Sequence, residues 1–283
     1  MDILMNYAFQ IIALGTALLA AVAAPVGALS VYKGQSLIGD AIGHATFPGV
    51  VLAFMAFSTR SPAVLLVGAM AAAAVTFFAI QAAHENTRVG LNANLAVFLS
   101  GFFGLGMVLK SFIQGNEAYR GASQAGLETY IFGQAAYMLE ADVKLIAFVA
   151  ALCAALLFAF YKELKVFVFD AEYARAVGLP VRLLQVLLPF LTIAVIGIGI
   201  KAVGAILISS FLIIPCVAAS QWSDDFVRVL FLSAVFGVVS ALAGTYVSTL
   251  EQGMSTGPSI ILAASAIAFL SMLFGKRGVF RKR

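Results

Sequence analysis

Long apolar runs, separated by short polar breaks, organise the chain from one end to the other. They fall at 8–31, 37–57, 62–83, 93–112, 145–161, 183–200, 203–221, 226–247 and 258–274. Each is near the ~20 residues that an α-helix needs to span the hydrocarbon of a bilayer. The pattern predicts an all-α, polytopic integral membrane protein with eight or nine spans in one transmembrane domain, residues 1–283. The count depends on the sixth and seventh runs. Little more than Lys201-Ala202 separates them, which predicts a tight hairpin or a broken helix. The first run is too long for a signal-peptide core, and no Lys or Arg precedes it, so it is read as the first span.

Composition narrows the class. The chain is 63% hydrophobic and only 11% charged, where soluble domains carry about 25% charged residues. That leaves no room for a separate soluble domain. Cys153 and Cys216 both fall mid-span without metal-ligand spacing, and read as small apolar core residues.

The net charge of +4 reports orientation rather than nucleic-acid binding; the partner it implies is the lipid bilayer. The tail carries Lys276, Arg277, Arg281, Lys282 and Arg283. Placing it in the cytoplasm and counting back through nine spans puts the N-terminus outside. Lys33, Arg88, Lys162, Lys165, Arg175, Arg182 and Arg228 then also fall inside. Arg60, Lys110, Arg120, Lys144 and Lys201 fall at the outer ends. Twelve of the 17 Lys and Arg are thus internal, as the positive-inside rule requires.

The candidate chemistry is an ionisable pair in an apolar segment. Asp40 and His44 are four residues apart, so on a helix they share a face one turn apart. An ionised carboxylate near mid-bilayer costs roughly 2.5–3.5 kcal/mol on insertion scales, and is tolerated where it faces a cavity, a partner or a ligand. Carboxylate plus imidazole is a ligand set for a divalent transition metal. Two other readings stay open: a hydrogen bond that fixes helix packing, and a proton relay. Gly39 and Gly43 form a Gly-x-x-x-Gly contact set back one residue from the pair. It predicts close approach to another helix, including the same helix of a second copy, which would double the ligand set. His84 is read as a solvated helix-end residue, and Lys201 as a side chain that snorkels to the surface. No Gly-x-x-x-x-Gly-Lys-Ser/Thr loop is present, so the chain is not expected to hydrolyse ATP itself, and no His-Glu-x-x-His helix points to a metalloprotease.

Two loops stand out. In the outer one, 113–144, the amphipathic stretch 127–134 predicts an interfacial or re-entrant segment. In the inner one, 162–182, Asp170 is a good N-cap, Glu172 suits a first helical turn, Gly178 suits the C′ position and Pro180 stops continuation. A short, capped, charged helix between two spans gains nothing from lipid, and is expected to dock on a partner.

These segments, in order, resemble the permease subunits of ABC importers for manganese, zinc and iron. Ser36-Leu37-Ile38-Gly39-Asp40-Ala41-Ile42-Gly43-His44-Ala45 is similar to that family's Ser-Leu-x-Gly-Asp-Ala-x-x-His-Ala. Phe169-Asp170-Ala171-Glu172-Tyr173-Ala174-Arg175-Ala176-Val177-Gly178 resembles its cytoplasmic Phe-Asp-x-x-x-Ala-x-x-x-Gly. Val203-Gly204-Ala205-Ile206-Leu207 and Leu212-Ile213-Ile214-Pro215 resemble its late Val-Gly and Leu-Ile-x-Pro run, and Thr256-Gly257-Pro258 the start of its last span. Asn92, Asn94 and Met254-Ser255 depart from the family pattern.

The resemblance implies a plasma-membrane permease with Asp40 and His44 as the metal pair. It implies a coupling helix, with Asp170, Glu172, Ala174, Arg175 and Gly178, seated on a separate ATP-binding subunit. It also implies an extracytoplasmic metal-binding protein, a second permease protomer, and no cofactor beyond the transported Mn²⁺, Zn²⁺ or Fe²⁺. Phe47-Pro48-Gly49 resembles the manganese/iron branch slightly more than the zinc branch. The rival is a proton-coupled secondary metal transporter, which leaves 170–178 unexplained.

Overall fold

The computed structural model describes all residues except 1–5, 60, 120–126, 128–132, 134, 251–253 and 282–283. The predicted amphipathic stretch 127–134 lies almost wholly outside the described residues. The long helices are α1 (Tyr7–Tyr32), α2 (Ile38–Phe57), α3 (Pro62–Asn86), α4 (Leu91–Gly115) and α5 (Glu140–Ala159). Two short helices follow, α6 (Tyr161–Phe169) and α7 (Ala171–Ala176), and then α8 (Val181–Ser220), α9 (Phe226–Leu250) and α10 (Thr256–Phe274). Among the described residues, eight helices are long and apolar enough to cross a membrane. The protein is a multi-pass membrane protein.

One of the eight crosses twice. A straight helix of 40 residues would run about 60 Å, twice the hydrocarbon thickness. Instead α8 breaks at Gly204, whose φ of 83° and ψ of 166° are not helical. A Cβ on Gly199 would lie 2.7 Å from Ile208 Cδ1, although nine residues separate about 13.5 Å along a straight helix. Thr192 and Leu212 line the same small void against Gly27 and Gly39. The helix is therefore a hairpin, with an outward leg, 181–203, and a return leg, 205–220. The sequence placed the break at Lys201-Ala202; both stay helical, and the turn is at Gly204 because only glycine enters that backbone region readily.

The hairpin makes nine crossings and puts the described ends of the chain at opposite faces. At one face, Tyr32 packs its ring on Phe169 and Phe226, and the Arg277 amide donates to the Gln221 carbonyl at 3.0 Å. This face carries Lys33, Lys162, Lys165, Arg175, Arg182, Arg228 and Arg277, and is called the basic face. At the far face, Tyr7 reaches Glu140 at 3.4 Å and Lys201 pairs with Asp142 at 2.5 Å.

Between the faces, glycines bring helices together where the bilayer supplies no hydrophobic drive. Gly27 of α1 lies against the Leu212 backbone, and Gly49 of α2 against Gly68 of α3. Gly106 of α4 receives Phe47 and Pro48. Cys153 and Cys216 are buried and unpaired, as small core residues should be.

Candidate functional site

The chain leaves α1 through a turn at Gly34, where φ is +77°, and α2 begins at Ile38. Asp40 therefore stands in the first turn of α2, and His44 one turn further in. Asp40 is still inside the bundle. Gly39 packs on Leu212, eight residues short of the end of the return leg, or about 12 Å from it.

His44 Nε2 lies 3.4 Å from Asp40 Oδ1, and the two side chains are 19% and 31% exposed. The Phe103 ring of α4 meets the imidazole edge-on, with centroids 5.1 Å apart. His44 Nδ1 is buried and has no hydrogen-bond partner. An imidazole nitrogen without a partner away from water is costly. One turn beyond His44 on the same row, Pro48 is buried, and Leu52 a further turn on is exposed. The pair is thus only partly open, with α4 covering one side of the imidazole.

The Gly-x-x-x-Gly contact is satisfied within the chain. Gly39 meets Leu212, and Gly43 meets Ser209 and Ala205 of the return leg. The glycines hold α2 on α8, and the polar pair lies about 100° away around the helix. Among the described residues, no group of three or more His, Cys, Asp and Glu forms a metal-sized cluster. One protomer brings together one carboxylate and one imidazole here.

The second predicted site is at the basic face. Asp170 caps α7 by accepting from the Tyr173 amide at 2.8 Å. At the other end, Leu179 N–H donates to the Ala174 carbonyl and Gly178 N–H to that of Arg175. With Gly178 at φ +82°, this is a Schellman cap. Ala174 is fully buried among Leu164, Phe167 and Val181; it seats the helix and presents no surface. Glu172, Tyr173 and Arg175 are exposed. The sequence reading did not separate α6, which carries the apolar residues Leu164 and Phe167 that α7 rests on. It also gave Lys201 to the surface, where the structure pairs it with Asp142.

The model of the ABC 3 transport family matches residues 5–275. The chain belongs to this family. It is 37% identical over 269 residues to the manganese transport system membrane protein MntC of Bacillus subtilis, covering 95% of this chain and 61% of that one. The chain thus spans under two thirds of that relative's length. It is 36% identical to the zinc transport system membrane protein TroC of Treponema pallidum, covering 99% of this chain and 93% of the relative. Among solved structures it is similar to PsaBC from Streptococcus pneumoniae in complex with Fab. The TM-score is 0.82 at 26% identity, with 99% of this chain and 97% of that one covered. Members of an ABC transport family with this helical architecture are transport components, so this chain is a permease.

Proposed function

We propose that this permease carries a divalent transition metal into the cytoplasm, with Asp40 and His44 in the path. The observation that carries the reading is a partly exposed carboxylate and imidazole 3.4 Å apart on one helix face. Its setting is an ABC 3 chain whose relatives include manganese and zinc transport proteins. A second permease protomer, the same chain or a paralogue, adds its own carboxylate and imidazole. Two carboxylates and two imidazoles suit Mn²⁺, Fe²⁺ or Zn²⁺, with water completing the shell.

The driving force comes from a separate ATP-binding subunit docked on Glu172, Tyr173 and Arg175 of α7. An extracytoplasmic binding protein delivers metal at the far face, which places the basic face in the cytoplasm, as positive-inside requires. A proton-coupled transporter would have no use for a rigid, doubly capped α7, and membership of an ABC family disfavours it.

The test is uptake of radiolabelled manganese and zinc into vesicles holding the assembled transporter, its binding protein and internal ATP. Asp40→Asn keeps the size and the hydrogen bonding of the side chain, and His44→Ala removes the imidazole. Both should lower uptake at least about tenfold, the equivalent of 1.4 kcal/mol, while co-purification with the partners is unchanged. Near-normal uptake by assembled Asp40→Asn would reduce the pair to a packing contact.

A further inference from the structure

Three features meet at the tip of the α8 hairpin on the far face. The first is an ion pair between elements far apart in sequence. Lys201 Nζ lies 2.5 Å from Asp142 Oδ1, and the carboxylate side chain is 16% exposed. The other oxygen, Oδ2, accepts the Leu139 amide at 3.1 Å and caps α5. Asp142 is thus fixed on α5 and holds Lys201 from there. The second is the turn. Gly204 supplies a backbone that other residues reach only with strain, and Gly133 lies directly against the Val203 carbonyl. The third is room. A cavity of about 150 Å³ between Val203, Ala135, Tyr137 and Thr256 borders the tip. The tip is tied on one side and has free volume beside it.

The tip is also mechanically joined to the metal pair. The return leg starts at Ala205, and within eight residues its Ala205, Ser209 and Leu212 are packed on Gly43 and Gly39 of α2. Gly43 adjoins His44 and Gly39 adjoins Asp40. Leu212 is in turn locked by its backbone against Gly27 of α1. Gly27 of α1 meets the Leu212 backbone and Gly39 of α2 meets the Leu212 side chain, so displacement of the return leg bears on α1 and α2 together.

We propose that Lys201 and Asp142 form a latch at the far face that holds the α8 hairpin closed and must release once per transport cycle. They are positioning residues, acting on Asp40 and His44 through the return leg. The proposal rests on the importer reading and adds to it which contact at the far face separates the states. With the pair broken, the tip can move into the adjoining cavity about Gly204, and α2 loses the support that sets the geometry of the metal pair.

The experiment locks the latch. Asp142→Cys and Lys201→Cys are introduced together into the chain carrying Cys153→Ala and Cys216→Ala, and assembled with the ATP-binding subunit and binding protein. A short bifunctional thiol reagent, cleavable by reductant, then links the pair. Linking should lower metal uptake at least about fivefold, the lower end of usual coupling strengths, and reductant should restore it. Full uptake by the linked transporter would overturn the latch, as would failure of the two thiols to link in the assembled complex. A wild-type complex that moves no metal fails before any reagent is added, and condemns the importer reading itself. A second readout separates a latch from a plain structural contact. Asp142→Asn still accepts the Leu139 amide, so the helix cap is kept, and Lys201→Met removes only the cation. Both should raise ATP hydrolysed per metal ion about fivefold with assembly intact, and Lys201→Arg should not. An unchanged ratio in both variants would also overturn the proposal.

Discussion

Asp40 and His44 are only partly exposed, and the glycines beside them take the most buried face of α2. That division of labour was only partly legible. The spacing of four identified the pair and its shared face. The partner of Gly39 and Gly43 could not be read, because small residues signal close approach without saying to what; only the folded hairpin supplies Leu212 and Ser209. Lys33 was counted for orientation alone. In the structure it caps α1 with its ammonium 4.2 Å from the centre of the Phe167 ring, and burial pulls it down to about 8. The sign of the consequence is fixed. Below pH 8 the lysine is charged in both folded and unfolded chains, and the full cost of burying it is present. Between pH 8 and about 10.4, its usual value, the folded chain sheds the proton first and the cost is relieved. Stability of the wild type should therefore rise across that window. Lys33→Met should be more stable at pH 7, by at most about 3 kcal/mol, less whatever the ring contact returns. Thermal unfolding in detergent at pH 7 and pH 10 checks this; a variant less stable than wild type at pH 7 would show that the ring contact outweighs desolvation.

At the scale of the element, apolar runs located every span to within a few residues, since a bilayer imposes length and hydropathy on each helix independently. Where two spans join, the signal weakens. Lys201 looked like a loop residue because a cation is expensive in lipid. It stays helical because Asp142 receives it, a contact 59 residues distant in sequence that no local pattern announces. The opposite case is α7, whose ends were readable because capping is local chemistry. Asp170, Gly178 and Pro180 act within a few residues of themselves. A helix of six residues cannot persist on its own propensity, so two caps and the buried Ala174 must hold it for a purpose. Its exposed Glu172 and Arg175 are the charges available to a docked subunit. Reversing both, Glu172→Lys with Arg175→Glu, keeps the net charge and should weaken co-purification of the ATP-binding subunit several-fold. Metal binding by the permease should be unchanged. Unaltered ATP-driven uptake in the double variant would remove α7 from the docking surface.

For the whole molecule, the decisive quantity is parity. With α8 as one span, eight crossings would return both ends of the chain to the same face. With α8 as a hairpin, nine crossings separate them. The contacts support nine: the outward leg reaches Asp142 at the far face through Lys201. The return leg ends at Gln221, whose carbonyl is held by Arg277 at the basic face. Charge then decides which face is which. Among the described residues, Lys110, Lys144 and Lys201 are the cations of the far face. The basic face carries more of them, with Lys33, Lys162, Lys165, Arg175, Arg182, Arg228, Lys276 and Arg277, and it is Lys and Arg near the span ends that set topology. A reporter fused after Arg283 should accordingly be active in the cytoplasm. One inserted near Gln124, between α4 and α5, should be active on the opposite side. The pair is a stricter test than either alone. Inverting the molecule would exchange the two signals, whereas a miscounted hairpin would bring both to one side. The second result would unfold α8 into a single span and, with it, take Ser209 and Leu212 away from the helix that carries Asp40 and His44.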